Sequence, residues 1–274
     1  MTAAPVVVTD LDGTLWASDL VVRPRTRAAV AALRDAGVPL VAATARRLRG
    51  ARELLGANGL SLPVIGLNGA MGEDEAGTRF CDLPFAPGDA LRALGVFAAA
   101  GLAPCVYVDE PGVDVVLPPR PSTNPGHVEY LQSVSRTAPD LAAVVRDEPV
   151  YGFSVLGYDE PALRPVAAGL DGSGIAVDFA PEPQWPGWSV NVMPAGISKW
   201  AGVEAFCAWH GLPTRSVLAV GDGSNDVPLL EAAARPIVVA GSRAARFLPG
   251  TETIEPPEDD GWAAIAAMAG VSLG

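Results

Sequence analysis

Val6-Val7-Val8-Thr9-Asp10-Leu11-Asp12-Gly13-Thr14-Leu15 is the stretch on which the fold turns. Its three β-branched residues suit a short strand buried on both faces, and Asp12-Gly13 is a turn signal that closes it. Asp10 then falls where the strand ends, with Asp12 two residues further on in the turn. In an open α/β sheet, ligands bind at the carboxyl ends of the strands. Two carboxylates at such a place cost free energy unless a cation, or a proton shared with substrate, compensates them. A strand followed by an ordinary Asp-Gly turn would also carry acidic residues, so the string alone leaves both readings open.

The chain around it supplies more strands of the same kind. Residues 24–36 read as a helix with Pro near its start and Gly37 after its end. Apolar strands at 38–43 and 63–67 flank a helix at 46–55, and they end at Thr44 and at Asn68-Gly69. This βαβαβ run predicts a parallel sheet with right-handed crossovers, and it places Asp10, Thr44 and Asn68 along one sheet edge. Near residues 84–87 the texture changes. Helices at 88–100, 126–136 and 160–170 mix with strands at 103–108, 113–117, 151–157, 174–180 and 189–193, the pattern of an inserted α+β domain. From Ser198 the alternation resumes: a helix to Trp209, a strand ending at Gly221-Asp222, a helix at 224–233, a strand at 236–240 and a last helix at 261–268. The expected fold class is α/β, a Rossmann-like doubly wound parallel sheet. Residues 1–83 and 194–274 are expected to form the core, with 84–193 an inserted α+β cap domain.

Composition narrows the class of function. The chain has 274 residues, 49% of them hydrophobic and 18% charged, enough to bury a sizeable core. Its formal net charge of −12 argues against a nucleic-acid partner. The longest uncharged run, Ala93 to Val108, is interrupted by Gly101 and Pro104 and is too short for a membrane span. No targeting signal is visible, and Cys81, Cys105 and Cys207 lie far apart, so reduced thiols in a cytoplasmic protein are expected. Neither His127 nor His210 has a partner at metal-binding spacing.

Polar points gather at the strand ends and helix starts: Asp10 and Asp12, Thr44, Lys199, and Asp222 with Asn225 and Asp226. Each has a plain alternative. Thr44 would cap the following helix, and Gly221–Asp226 would be a turn with an N-cap. Lys199 sits in a first helical turn, where the dipole disfavours a cation, so an anion nearby would explain it. Counting from Asp10 or Asp222, the sixth position is Leu15 or Val227, so neither acidic string is a calcium-binding EF-hand loop, which needs Gly there. Acidic loops from two strand ends, one Lys and one hydroxyl suit a Mg²⁺ and phosphate site, because Mg²⁺ takes hard oxygen ligands and keeps several waters.

Asp10-Leu11-Asp12-Gly13-Thr14, Thr44-Ala45-Arg46, Lys199 and Gly221-Asp222-Gly223-Ser224-Asn225-Asp226 resemble, in order, the four motifs of the haloacid dehalogenase-like superfamily. The insertion after the third strand, Asn68-Gly69-Ala70 and Gly196-Ile197-Ser198-Lys199 are similar to its Cof-type phosphatases. The resemblance implies that Asp10 is the nucleophile of an aspartyl-phosphate mechanism and Asp12 the acid and then the base. It implies Mg²⁺ as cofactor, held by Asp10, the Asp12 carbonyl and Asp222. Phosphate binding is implied for Thr44, Lys199 and backbone N–H groups near Leu11, Asp12 and Ala45, with Arg46, Asn68, Gly69 and Asn225 lining the site. Asp226 would stand behind them, orienting Lys199 and metal waters. The expected substrate is a small phosphate ester, foremost a sugar phosphate, handled without nucleic acid or membrane. The oligomeric state, monomer or dimer, is not readable. A phosphomutase of the phosphomannomutase type, or a non-catalytic phosphometabolite-binding protein, is the alternative.

The sequence departs from the subfamily twice. Ala45 stands where Gly is common, and Ala240-Gly241-Ser242 replaces a Met-x-Asn-Ala string. Specificity is expected from the inserted domain closing over the site, with Arg120, His127, Trp185 and Trp188 as candidate contacts to the leaving group, or with the tryptophans packing the return hinge instead. Arg46, Arg47, Arg49 and Arg52 read as a solvated helix face, although Arg46 belongs to the second motif.

Overall fold

A computed structural model describes residues 5–182 and 184–273. The chain divides into two compact units, Met1–Asp82 with Ser198–Gly274, and Leu83–Ile197. In the first unit β1 (Val6–Thr9) leads to α1 (Pro24–Asp35), β2 (Leu40–Ala43), α2 (Leu48–Ala57), β3 (Val64–Gly66) and a hairpin of β4 (Met71–Glu73) and β5 (Arg79–Asp82). The second unit runs through α3 (Pro87–Ala99), β6 (Cys105–Glu110), β7 (Val113–Leu117), α4 (Pro125–Leu131), β8 (Ser135–Thr137), α5 (Leu141–Asp147), β9 (Gly152–Tyr158), α6 (Glu160–Leu170), β10 (Ala176–Pro181) and β11 (Trp188–Met193). The chain then returns to the first unit with α7 (Lys199–His210), β12 (Val217–Gly221), α8 (Val227–Ala232), β13 (Arg235–Val239), α9 (Arg243–Phe247), β14 (Glu252–Ile254) and α10 (Ala264–Met268).

The sheet of the first unit has the order β14-β13-β12-β1-β2-β3-β4-β5. β1 lies at its centre, parallel to β12 on one side and β2 on the other, and all four of its residues are fully buried. That is why Val6-Val7-Val8 is an unbroken apolar run with no polar alternation. β14 through β3 run parallel, as the βα alternation predicts, but β4 and β5 turn back antiparallel. The expected all-parallel sheet is therefore corrected at one edge. The α7 helix starts at Ser198, whose hydroxyl accepts from the Ala201 N–H, and stops at Gly211 in the left-handed region. Among the described residues no helix is long and apolar enough to cross a membrane.

The second unit has its own sheet, β10-β11-β9-β6-β7-β8, with α3, α5 and α6 packed through Phe97, Val144, Leu163 and Val166 onto Val106, Phe153, Val155 and Val190. The helix expected at 126–136 is shorter. It ends at Leu131, and Ser135–Thr137 instead pairs parallel with β7.

Candidate active site

Asp10 leaves β1 with its N–H donated to the Val220 carbonyl at 2.9 Å, so its backbone is tied to β12. Its carbonyl accepts from the Thr9 hydroxyl at 2.6 Å, and that hydroxyl accepts in turn from the indole of the fully buried Trp262 at 2.8 Å. The Asp10 side chain is buried, and its Oδ1 accepts from Lys199 Nζ at 2.5 Å. The same ammonium donates to Asp226 Oδ1 at 2.6 Å. Thus the helix-start cation finds two anions, one after β1 and one after β12. The other oxygen of Asp226 accepts from the N–H groups of Asp222 and Gly223, at 3.0 and 2.8 Å, which folds the loop after β12. Asp222 Oδ1 accepts from the Thr14 hydroxyl at 3.1 Å and so links the two acidic strings. Gly13 has to be glycine here: φ is +78°, and a Cβ would lie 2.6 Å from an Asp222 carboxylate oxygen.

Asp10, Asp222 and Asp226 each offer an oxygen within 4.8 Å of the others. Three carboxylates face one ammonium, and the charge imbalance shows in the titration of Asp10 and Asp222. Burial first, then Asp226, pushes Asp222 up to about 6. Burial also raises Asp10, an effect that Lys199 opposes and the neighbouring aspartates reinforce. Burial alone would lower Lys199, but Asp10 and Asp226 hold it well above its ordinary value, so it stays charged. A hard divalent cation among these oxygens would supply the missing positive charge, so the donor set fits Mg²⁺. Asp226 has both oxygens engaged by Lys199 and the loop, which leaves Asp10 and Asp222 as the side chains to hold it. The Asp226 carboxylate stands within the cluster, bonded to Lys199 and to the loop after β12.

The remaining site residues are joined by the segment after β3. Thr44 is buried, and its hydroxyl accepts from the Arg46 N–H at 3.1 Å, but it is not the cap of α2, which begins only at Leu48 with Arg47 in the cap position. Leu67 and Asn68 both adopt left-handed backbone, with φ of 47° and 54°. Their N–H groups donate to the Arg46 and Thr44 carbonyls at 2.9 and 3.0 Å. Asn68 Oδ1 accepts from Asn225 Nδ2 at 3.0 Å, and at Gly69 a Cβ would come 2.0 Å from the Ser198 carbonyl oxygen. Residues 67–69 therefore touch the loop after β2, the start of α7 and the loop after β12. Leu11 has a buried side chain, which leaves only its backbone for a ligand, and Ala45 is exposed.

The expected solvated helix face is corrected. Arg46 does not lie on a solvated helix face: its guanidinium grips the Asp12 carboxylate, Nε to Oδ2 and Nη2 to Oδ1, both at 2.6 Å. Arg47 is buried, and Arg52 donates to Glu73 and to the carbonyls of Asp74 and Glu75, fastening the β4–β5 hairpin to α2. In the second unit His127 is buried, with Nδ1 paired to the Thr123 hydroxyl and its ring 4.8 Å from that of Trp185, while Trp188 packs on Phe179. These contacts lie within the second unit, and Arg120 is exposed.

With this geometry in place, comparison with known proteins is direct. The family model for haloacid dehalogenase-like hydrolases matches residues 7–112 and 179–264, and the chain belongs to that family. It is similar to a phosphoglycolate phosphatase of Methanopyrus kandleri, 26% identical over 83% of this chain and 81% of the relative. The pyridoxal phosphate phosphatase YbhA of Escherichia coli is also 26% identical, over 83% and 85% of the two chains. Among solved structures, a phosphatase of the superfamily from Bacteroides thetaiotaomicron superposes with a TM-score of 0.79 at 21% identity, covering 98% of this chain and 96% of its own. A subclass IIB sugar phosphatase superposes with a TM-score of 0.76 at 17% identity, over 98% and 100% of the chains; these two show likeness of fold. The protein is a Cof-type hydrolase of this family, and its reaction class is phosphoric monoester hydrolysis.

Proposed function

We propose that the protein is a Mg²⁺-dependent phosphatase of small phosphorylated metabolites, foremost a sugar phosphate, working through a phosphoryl group carried on Asp10. The observation that carries this reading is the buried Lys199 bridging Asp10 and Asp226 beside Asp222, an arrangement too costly to keep for stability alone. Asp10 and Asp222, with the Asp12 carbonyl, hold the metal. Bound there, Mg²⁺ offsets the repulsion between a phosphate dianion and an ionised carboxylate.

Asp10 attacks phosphorus as the ester oxygen departs, and Asp12 gives that oxygen a proton. Water then attacks the phosphorylated Asp10 while Asp12 takes a proton back. Lys199, Thr44 and the backbone N–H groups near Leu11, Asp12 and Ala45 donate to the phosphoryl oxygens, where charge develops. Asp226 keeps Lys199 charged and shapes the metal loop, and Asn225 ties that loop to Asn68. Residues 84–193 are the part of the chain to which we assign the choice of substrate.

Asp10→Asn tests this directly. With Mg²⁺ present, hydrolysis of 4-nitrophenyl phosphate should fall by at least about a thousandfold, because the nucleophile is gone. Activity within tenfold of wild type would overturn the mechanism.

A further inference from the structure

Arg46 sits in the second-motif loop, where its charge suggests contact with phosphate. Its guanidinium is instead committed to Asp12 as a two-pronged fork, with both N···O distances at 2.6 Å. A third donor, Trp16 Nε1, reaches Asp12 Oδ1 at 3.0 Å. Both holders are themselves fixed. Trp16 is fully buried, with its carbonyl accepting from Gly13 N–H at 2.9 Å and its N–H donating to the Leu11 carbonyl at 3.1 Å. Arg46 is held by its N–H on the Thr44 hydroxyl and by its carbonyl, which accepts from Leu67 N–H. The Asp12 side chain is 41% exposed, so the pair adds little stability. What a planar fork does supply at an exposed carboxylate is a fixed plane, which a single Lys could not impose.

We propose that Arg46 is the positioning residue for Asp12, and that Oδ2, the oxygen free of Trp16, is the one that moves the proton. The proposal rests on Asp12 being the proton carrier of the reaction above. In the first half an Asp10 oxygen bonds to phosphorus, the bond to the ester oxygen breaks with its electron pair, and that oxygen takes the proton from Asp12 Oδ2. In the second half Asp12 removes a proton from water as the water oxygen bonds to phosphorus and the Asp10–phosphorus bond breaks. Asp12 ends with the proton it gave. Carrying it releases the prong from Nε, while Nη2 and Trp16 keep the carboxyl plane.

Two aryl esters that differ by one nitro group separate this from phosphate binding. Phenolate leaves less readily than 4-nitrophenolate, so phenyl phosphate depends more on a placed proton. In the presence of Mg²⁺, Arg46→Gln should raise the ratio of kcat/KM for 4-nitrophenyl over phenyl phosphate at least tenfold above wild type, because kcat/KM reports the half-reaction that expels the leaving group. Asp12→Asn should move the ratio the same way, and Arg46→Lys, which keeps the charge without the fork, should fall between wild type and Arg46→Gln. Each variant should keep a single cooperative thermal transition. A wild-type ratio in Arg46→Gln, with KM raised equally for both esters, would overturn the proposal and make Arg46 a phosphate contact. A wild-type ratio in Asp12→Asn would instead overturn Asp12 as proton carrier, whatever Arg46 does.

Discussion

Asp222 is where a single residue's environment can be read as a measurable quantity. Its carboxyl pKa is raised to about 6, burial and Asp226 being the main causes. A carboxylate whose folded pKa lies above its unfolded value holds its proton more tightly when folded. Its ionisation therefore removes stability as pH rises from about 4 to 6, on the order of 2 to 3 kcal/mol, and the penalty is complete above that window. A cation at this site must displace the proton below pH 6 and meets a ready carboxylate above it. Mg²⁺ should accordingly raise the thermal midpoint more at pH 7.5 than at pH 5. Asp222→Asn should raise the metal-free midpoint at pH 7.5 and abolish the Mg²⁺-induced increase; equal increases at both pH values would contradict the assignment. These acids were legible in the sequence because a strand followed by Asp-x-Asp-Gly fixes where the side chains fall. The Arg46–Asp12 fork was not, because the two lie 34 positions apart and nothing in either string states that the side chains meet.

At the scale of elements, the segment after β3 carries more than its length suggests. Leu67 and Asn68 are both left-handed, and Gly69 follows at φ +109°, wedged against the Ser198 carbonyl at the start of α7. Any side chain at position 69 must push that helix start, and Lys199 with it. Gly69→Ala should destabilise the protein by on the order of 3 kcal/mol, from an unfavourable φ together with a Cβ overlap. Chemical denaturation measures this, and a loss below about 1 kcal/mol would contradict the wedge. The major elements were readable: long apolar runs gave the parallel strands, and Gly, Pro and Ser gave the helix ends. The three-residue strands β4, β8 and β14 and the five-residue α9 were not, since periodicity needs more residues than they contain. Their pairing is set by the neighbours they meet, which the local sequence does not encode.

At the scale of the whole molecule, residues from both ends of the chain build one site. Lys199 meets Asp10 across 189 positions, and Trp262, near the C-terminal end of the described residues, reaches Thr9 beside Asp10. Removing the indole donor by Trp262→Phe should cost on the order of 2 to 3 kcal/mol in stability, read by urea unfolding, since a buried hydrogen bond is lost and the smaller ring leaves a cavity. The order of the motifs along the chain made this convergence expected. The identity of the substrate is not expressed in any residue of the core. The central claim is that Asp10 carries the phosphoryl group between two half-reactions. Its most direct test is to mix Asp12→Asn enzyme with Mg²⁺ and 4-nitrophenyl phosphate, quench in acid, and determine the mass of the peptide containing Asp10. One added phosphoryl group, localised to Asp10 and absent in the Asp10→Asn, Asp12→Asn double variant, is the predicted result. Nitrophenol release with no phosphorylated peptide, or with the group on another residue, would contradict it.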